Sequence, residues 1–333
     1  MVAALCRLLL RYAVLGVAVV LLNFLIPRLL PGDPLSFGSG EGTGPAVPLS
    51  GAAKAELQAY YHLDEPLSRQ LVAYLGDLAR GDLGHSIERP APVRDLILDR
   101  LPWTAGLLSV SLLLATVTGT ALGLLAGWAP GRRLDRLLVS VTGALAAIPE
   151  FLVAIGFLLV FAVGFGWFPL FGGESVFADY GDGRTGAVRR ASNIATHLIL
   201  PAATLVVVGV SAFVLLARDT AAGLRHAPWI VVARAKGLPA RQVAWRHVLP
   251  NMALPILSFF GLRFGALLGG ALVVERVFGV PGLGLLAYQA LRARDYPLLQ
   301  ALFLLSSLAM LVANLAVDVI SLRLLARRGV LHG

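Results

Sequence analysis

Arg263, Glu150 and Asp318 are ionisable residues that each lie within a long apolar stretch of the sequence. A charged side chain in hydrocarbon costs about 2.5–3.5 kcal/mol on insertion scales, so it needs a partner of opposite charge or access to water. Such residues either join two membrane spans as an ion pair or line a pathway for a solute. The chemistry that they favour is therefore binding or conduction inside a membrane.

Helix geometry gives these charges approximate depths. At about 1.5 Å per residue, Arg263 lies roughly 12 Å into its span from Pro255, and Asp318 lies roughly 7 Å from Arg323. Both depths are on the cytoplasmic side, and Glu150 is nearer the middle. Two interpretations follow: Arg263 pairs with Asp318 and holds two spans together, or Arg263 or Glu150 lines a wet pathway.

Residue patterns typical of enzymes are missing from the sequence. The six histidines are scattered and none belongs to a His-Glu-x-x-His zinc pair, and no Gly-x-Ser-x-Gly elbow occurs. The lysines, Lys54 and Lys236, are not followed by Ser or Thr as a phosphate-binding loop requires, and Cys6 is the single cysteine. We therefore predict no catalytic residue, no metal site and no cofactor bound by this chain.

The composition is that of a membrane protein. Of 333 residues, 57% are hydrophobic and 14% are charged. A helix needs about 20 apolar residues to cross the hydrocarbon core. Six segments meet this length, and the predicted fold is an all-α integral membrane protein with six transmembrane helices, at roughly 8–30, 104–128, 138–165, 197–217, 255–274 and 298–322.

The distribution of charge predicts the orientation. If the N-terminus is inside, the cytoplasmic segments are rich in arginine and contain only Asp135 and Asp219 as acids, whereas the outer loop 31–103 has more acids than bases. This positive-inside bias predicts that both termini are cytoplasmic. The formal net charge of +9 then reflects topology, with anionic membrane lipid rather than nucleic acid as the surface partner.

The two outer segments differ in predicted order. The stretch from Gly38 to Gly51 is rich in Gly, Pro and Ser and indicates a flexible loop. A helix that begins after Pro66 and ends at Gly81 has apolar residues along one face, so we expect it to lie on the outer membrane surface or against the spans. The second outer loop, 166–196, is expected to be irregular.

Two spans have glycine at every fourth position, which leaves one helix face without side chains. Such a face lets two helix backbones approach closely in lipid. Two interpretations remain open, packing within the subunit and a sliding or dimer interface of a gated pore. The residues are Gly119, Gly123 and Gly127 in one span and Gly261, Gly265 and Gly269 in the other.

The cytoplasmic loop 218–252 has the pattern of two short helices at an elbow. The first runs from Trp229 to Lys236 and ends at Gly237, and the second begins at Pro239 and runs to Val248, with Pro250 stopping it. The elbow either rests on lipid headgroups or binds a soluble partner.

The elbow resembles the coupling loop of ABC importer permeases, which follows a Glu-Ala-Ala…Gly…Leu-Pro pattern. Val231 and Val232 occupy the first two positions of that pattern, and the remaining positions match. The peptide branch of the family commonly varies at those first positions. The matching segment is Ala233-Arg234-Ala235-Lys236-Gly237, followed after eleven residues by Leu249-Pro250.

Further motifs resemble the dipeptide, oligopeptide and nickel branch of these permeases, in the same order along nearly the whole chain. The Asp-Pro-Arg ending that is usual in the family is absent, although the segment from Asn314 to Asp318 is similar. The motifs are Leu30-Pro31-Gly32-Asp33-Pro34, Arg80-Gly81-Asp82-Leu83-Gly84, Ile148-Pro149-Glu150-Phe151, Leu268-Gly269-Gly270-Ala271 and Val280-Pro281-Gly282-Leu283-Gly284.

This resemblance implies a type I importer permease in a bacterial or archaeal inner membrane. It implies residues 1–103 as a first span with an outer loop, 104–323 as the permease core with the coupling loop 218–252, and 324–333 as a basic tail. The implied partners are a second homologous permease, two cytoplasmic ATPases that bind ATP and magnesium, and an external solute-binding protein.

The implied cargo is a short peptide. Nickel, glutathione or another small solute remain alternatives within the same machine, because the external binding protein largely selects the solute. A membrane scaffold without transport activity is the alternative from another class.

Overall fold

A computed structural model describes residues 2–29, 65–181 and 183–327, with side chains at 3–25, 65–181, 183–265 and 271–324. The predicted flexible stretch 38–51 and the motif 30–34 lie outside the described residues. So does most of the predicted basic tail, 328–333.

The described part of the chain is helical and contains no strand, which confirms the predicted all-α fold. Two helices continue into wider π-helical turns, Leu158–Gly164 and Ala244–Val248. In chain order the helices are α1 Val2–Leu29, α2 Leu67–Arg80, α3 Val93–Trp128, α4 Arg133–Ala147, α5 Glu150–Phe157, α6 Gly183–Leu224, α7 Pro228–Ala235, α8 Ala240–Val243, α9 Leu249–Phe278, α10 Leu283–Ala293 and α11 Tyr296–Arg327.

Five of the six predicted spans fall on single helices, and the third falls on a bent helix pair. Among the described residues, five helices are long and apolar enough to cross a membrane, or up to seven spans are present if each of two bent helix pairs counts as one. One bent pair is α4 with α5, and the other is the end of α9 with α10. The chain is a multi-pass membrane protein, and the number six stays a prediction.

The third predicted span is broken, so the prediction of one continuous helix over 138–165 is wrong. The helix axes on either side of Pro149 differ in direction by 97°. Ile148 is extended, with φ −84° and ψ 123°, because a proline ring excludes the helical conformation from the residue before it. Glu150 therefore begins a new helix at the bend instead of lying within a straight one.

The prediction of an irregular loop over 166–196 is wrong for its second half, because α6 already begins at Gly183. The loop that precedes this helix folds back onto its first turns. Glu174 forms an ion pair with Arg190 at 2.8 Å, and this hydrogen bond holds the pKa of the Glu174 carboxyl below its usual range. Asn193 accepts hydrogen bonds from the Ser175 backbone and from the Tyr180 hydroxyl. These contacts stabilise the extra turns.

The predicted amphipathic helix on the outer segment is present as α2. It ends at Gly81, which has the left-handed conformation with φ 76°. The ring of Tyr74 on this helix packs at a tilt against the Phe24 ring of α1, with ring centroids 5.6 Å apart. The Tyr74 hydroxyl donates a hydrogen bond to Asn23. The helix therefore packs against the first span.

The long helices pack mainly in pairs. The glycine face of α3 lies against α6, α9 packs on α11, and α1 contacts chiefly α11. Residues of α3, α6, α7 and α8 share one buried cluster at one end of the bundle, which we call the elbow end. The opposite end contains the turns between α9, α10 and α11 together with the loop that precedes α3.

Candidate coupling and pathway sites

The elbow is formed by α7, α8 and the turn between them. Pro228 occupies the first turn of α7, where its missing N–H leaves no unsatisfied partner. At the other end the Gly237 backbone N–H donates to the Arg234 carbonyl at 2.9 Å, and φ of Gly237 is +76°. A Cβ at this position would meet nothing within 4 Å, so the turn requires glycine for its backbone conformation alone.

The second arm of the elbow does not stop at Pro250, contrary to the prediction. The helix continues from Ala240 through the π-helical turns 244–248 into the membrane span α9, so Ala240–Gly265 reads as one helix. Pro250 lies in the first turn of α9, where the wider turns before it accommodate a residue without an N–H. The elbow is thus continuous with a membrane helix.

One face of the elbow is buried against the ends of α3 and α6. Ile230, Ala233 and Val248 are fully or almost fully buried, in one cluster with Leu124 and Ala217. The small Ala233 side chain lets α7 lie close to this cluster.

The opposite face of the elbow is exposed and apolar. Half or more of the surface of Trp229, Val231 and Val232 is accessible. Ala235 and Lys236 are exposed, Leu249 is half-buried, and Pro250 is exposed. Apolar residues that are exposed on a short, firmly seated helix indicate an interaction surface.

Polar contacts fix the elbow end further. The guanidinium of Arg234 lies 4.8 Å from the centre of the Trp128 ring. Arg218 of α6 binds the nearly buried Asp135 carboxylate of α4 through two nitrogens, at 2.9 and 3.1 Å, and the Gly131 backbone N–H donates to the same carboxylate at 2.7 Å. These bonds join the first half of the bent pair to α6, which carries the elbow.

The predicted ion pair between Arg263 and Asp318 is not formed. The Asp318 carboxylate accepts a hydrogen bond from the Tyr12 hydroxyl at 2.9 Å, and the Arg263 guanidinium lies 5.1 Å from the Phe259 ring centre. The reason is helical geometry. Helix α9 contacts α11 through Gly261, and two residues along a helix correspond to a rotation of about 200°, which places Arg263 on the far side from α11.

Arg263 instead shares a small cavity with Glu150. The cavity has a volume of about 50 Å³ and is also lined by Ser111, Gly209 and Phe213. The Ser111 hydroxyl oxygen and one Glu150 carboxylate oxygen are buried and have no hydrogen-bond partner among the described residues. This volume is large enough for at least one water. Of the two predicted alternatives for the intramembrane charges, the geometry favours a wet site lined by Arg263 and Glu150.

The glycine faces lie at contacts within the subunit. A Cβ on Gly119 or Gly123 would approach atoms of α6 to within 2.5 Å, and one on Gly127 would clash with the Arg218 carbonyl oxygen. A Cβ on Gly261 would lie 2.8 Å from Val317, and one on Gly265 would clash with Met310, both on α11. The side-chain surroundings of Gly269 lie outside the described residues.

Glu275, a buried carboxylate that the sequence analysis did not single out, fixes the bend between α9 and α10. It is fully buried and accepts hydrogen bonds from the Thr104 hydroxyl at 2.6 Å and the Leu285 backbone N–H at 3.0 Å. The Thr104 hydroxyl oxygen in turn accepts from the Leu283 N–H at 2.7 Å. The carboxylate thus binds the open N–H groups at the start of α10. The sequence did offer a signal for this residue, because Glu275 directly follows the predicted span 255–274.

Replacing Thr104 with valine is expected to lower the free energy of unfolding by about 2 kcal/mol, because the Glu275 oxygen and the Leu283 N–H both lose a buried partner. Thermal unfolding of the purified chain in detergent measures this. Thr118→Val is the matched control on the same helix, since the exposed Thr118 hydroxyl bonds only to carbonyls of its own helix. Equal midpoints for the two variants would contradict the proposed role of Thr104.

Comparison with known proteins agrees with this architecture. Residues 119–329 match the family described as "Binding-protein-dependent transport system inner membrane component". The chain is 31% identical to the oligopeptide transport system permease protein AppB of Bacillus subtilis (strain 168), with 91% of each chain covered. It is 35% identical to the glutathione transport system permease protein GsiC of Escherichia coli O6:H1, with 90% of each covered.

The family match includes the elbow, both bent helix pairs and both glycine faces. The likeness to the two permeases extends over the outer segment as well. The chain therefore belongs to the binding-protein-dependent transport system inner membrane components, as a multi-pass permease subunit of an ABC importer.

Proposed function

We propose that this permease forms one half of a pathway for short peptides and that a second homologous permease forms the other half. In this proposal an external binding protein delivers the peptide, and two cytoplasmic ATPase subunits drive its import. ATP and magnesium bind to those ATPases, and this chain binds no cofactor. The transport core comprises residues 104–323.

The observation that carries the proposal is the two-sided elbow. Its inner face is buried against α3 and α6, and its outer face exposes Trp229, Val231 and Val232. A surface seated in this way receives a push from a soluble subunit and passes it to the membrane helices as a rigid body. The elbow is also continuous with α9, which supports transmission of the push from the elbow into the membrane helices. Alternating access then follows as a shift between inward-open and outward-open populations.

The cavity between Glu150 and Arg263 supports a pathway at mid-membrane depth. Two opposite charges in a span remain stable there if water or a passing solute solvates them. Peptides carry both charges, and a hydrated site of mixed charge suits them. The names of the relatives favour peptides in two forms, since one is an oligopeptide permease and the other a glutathione permease. Glutathione is itself a tripeptide and is the second candidate cargo.

The decisive experiment is gentle purification through a tag on this chain from its native membrane, followed by mass spectrometry. We expect a second permease and one or two ATPases to be recovered with it. Recovery of this chain alone, under conditions that keep related assemblies intact, would overturn the proposal in favour of a scaffold. Uptake of a labelled dipeptide and of labelled glutathione by the same cells then assigns the cargo.

A further inference from the structure

A polar groove lies between the first turns of α1 and the last turns of α11. Its volume is about 430 Å³, and its lining includes Arg7, Arg11, Asp318 and Ser321. The spans predicted for these two helices begin near residue 8 and end near residue 322, so the groove lies where the helices leave the hydrocarbon. A groove of this size at this depth accommodates a lipid headgroup.

Two arginines supply the positive side of the groove. Arg7 and Arg11 are four residues apart and therefore lie on the same face of α1. Neither forms a salt bridge with an acid among the described residues. One N–H of Arg7 makes a long hydrogen bond of 3.4 Å to the Ala3 carbonyl, and the Arg11 guanidinium lies 5.8 Å from the Tyr12 ring centre. Most of their N–H donors thus remain open, and a phosphate group is the ligand that such donors prefer.

The groove also contains acceptors, which a phosphate alone does not satisfy. One oxygen of the Asp318 carboxylate accepts the Tyr12 hydroxyl, and the other receives no hydrogen bond from the described residues. The hydroxyl oxygen of Ser321 is buried and likewise has no partner in the part of the chain that the structure describes. These oxygens call for a donor of positive charge beside the phosphate.

We propose that the groove binds the headgroup of an ethanolamine phospholipid. The phosphate lies on Arg7 and Arg11, and the ammonium, two methylene carbons away, donates to Asp318 and Ser321. A glycerol headgroup offers the Asp318 carboxylate only neutral hydroxyl donors, and a choline headgroup has no N–H to donate. The apolar side chains of Leu8 and Leu322 line the remainder of the groove and suit the lipid backbone. This site is independent of the cargo.

The test is native mass spectrometry of the purified transporter complex, titrated with ethanolamine, glycerol and choline phospholipids of identical acyl chains. We expect the wild type to bind the ethanolamine lipid at least about fivefold more tightly than either of the others. Asp318→Asn should abolish this preference, and the double change Arg7→Gln with Arg11→Gln should weaken binding of all three phospholipids about equally. Free phosphoethanolamine in excess should compete only weakly, which distinguishes a lipid site from a site for a soluble phosphate.

Two control variants separate binding from folding. Arg323→Gln removes a charge from the same end of α11 outside the groove lining and should change nothing. Tyr12→Phe removes the hydrogen bond to Asp318 but keeps its charge, so the ethanolamine preference should persist. Equal binding of ethanolamine and glycerol lipids by the wild type would overturn the proposal. So would loss of the preference in Tyr12→Phe, since Asp318 would then have a purely structural role.

Discussion

Replacing Gly123 with alanine is expected to destabilise the bundle by about 3 kcal/mol, the upper end of what overpacking in a well-packed core costs. The added Cβ would lie 2.5 Å from the Val214 carbonyl oxygen, 2.6 Å from the Ala217 Cβ and 2.9 Å from the Arg218 backbone nitrogen. Real contacts of a Cβ are not this short. Two of these three neighbours are backbone atoms, which cannot rotate away as a long side chain can.

The helices must therefore separate to admit the methyl group. Because the glycine face of α3 continues through Gly119 and Gly127, separation at Gly123 loosens contacts over more than two turns of both helices. In lipid these contacts are the main source of association, since the surrounding hydrocarbon removes the hydrophobic drive. Helix α6 also leads directly into the elbow, so we expect uptake to fall together with stability.

The thermal midpoint of the purified chain in detergent measures the effect, and a loss of roughly 5 °C is expected. Gly106→Ala is the matched control, because Gly106 lies on the same helix and its Cβ would meet nothing within 4 Å. That variant should be neutral or slightly stabilised by the better helix propensity of alanine. A Gly123→Ala protein as stable as Gly106→Ala would show that α3 and α6 do not depend on close backbone contact.

The membrane helices and the elbow were accessible from the sequence because both depend on local patterns. The length of an apolar stretch identifies a membrane span without knowledge of the neighbouring helices. Gly237 likewise marks the corner of the elbow, because its left-handed backbone conformation depends on the residue type at that position. Two of the failures, at Pro149 and at Pro250, concern prolines. Pro149 bends the chain by 97°, whereas Pro102 and Pro201 lie inside continuous helices, and the sequence alone does not distinguish these outcomes. The packing of neighbouring helices decides whether a proline breaks its helix or is accommodated within it.

The intramembrane charges show the same limit. Depth along each span paired Arg263 with Asp318, but depth says nothing about rotation around the helix axis. The information was partly present, since Gly261 and Gly265 lie two residues to either side of Arg263 and predict that it points away from the helix that they contact. The partner of Asp318 was less accessible. Tyr12 lies more than 300 residues away in sequence, and only the packing of α1 on α11 brings it within hydrogen-bond distance.

Replacing Gly237 with valine is expected to leave the protein inserted in the membrane but to reduce uptake by about 5- to 30-fold, the factor that one or two kcal/mol represents. Gly237 has φ +76°, and a left-handed conformation costs a residue with a Cβ about 1–2 kcal/mol. The space around its Cβ is empty, so the added Cβ itself causes no clash. The strain relaxes only through the backbone, which misdirects α8 relative to α7.

The consequence of that misdirection separates coupling from folding. Ile230 and Ala233 lie before the glycine and stay in place, while the second arm of the elbow, with its buried residues Val243 and Val248, is displaced. We expect ATP hydrolysis by the complex to continue without responding to the loaded binding protein.

Gly223→Val is the control, since Gly223 is an exposed helical residue without positive φ and with nothing within 4 Å of its Cβ. Gly237→Asn should retain most uptake, because asparagine tolerates the left-handed conformation. Normal uptake by Gly237→Val would refute the mechanical role of the corner, since an elbow that works with a displaced second arm transmits no rigid-body push.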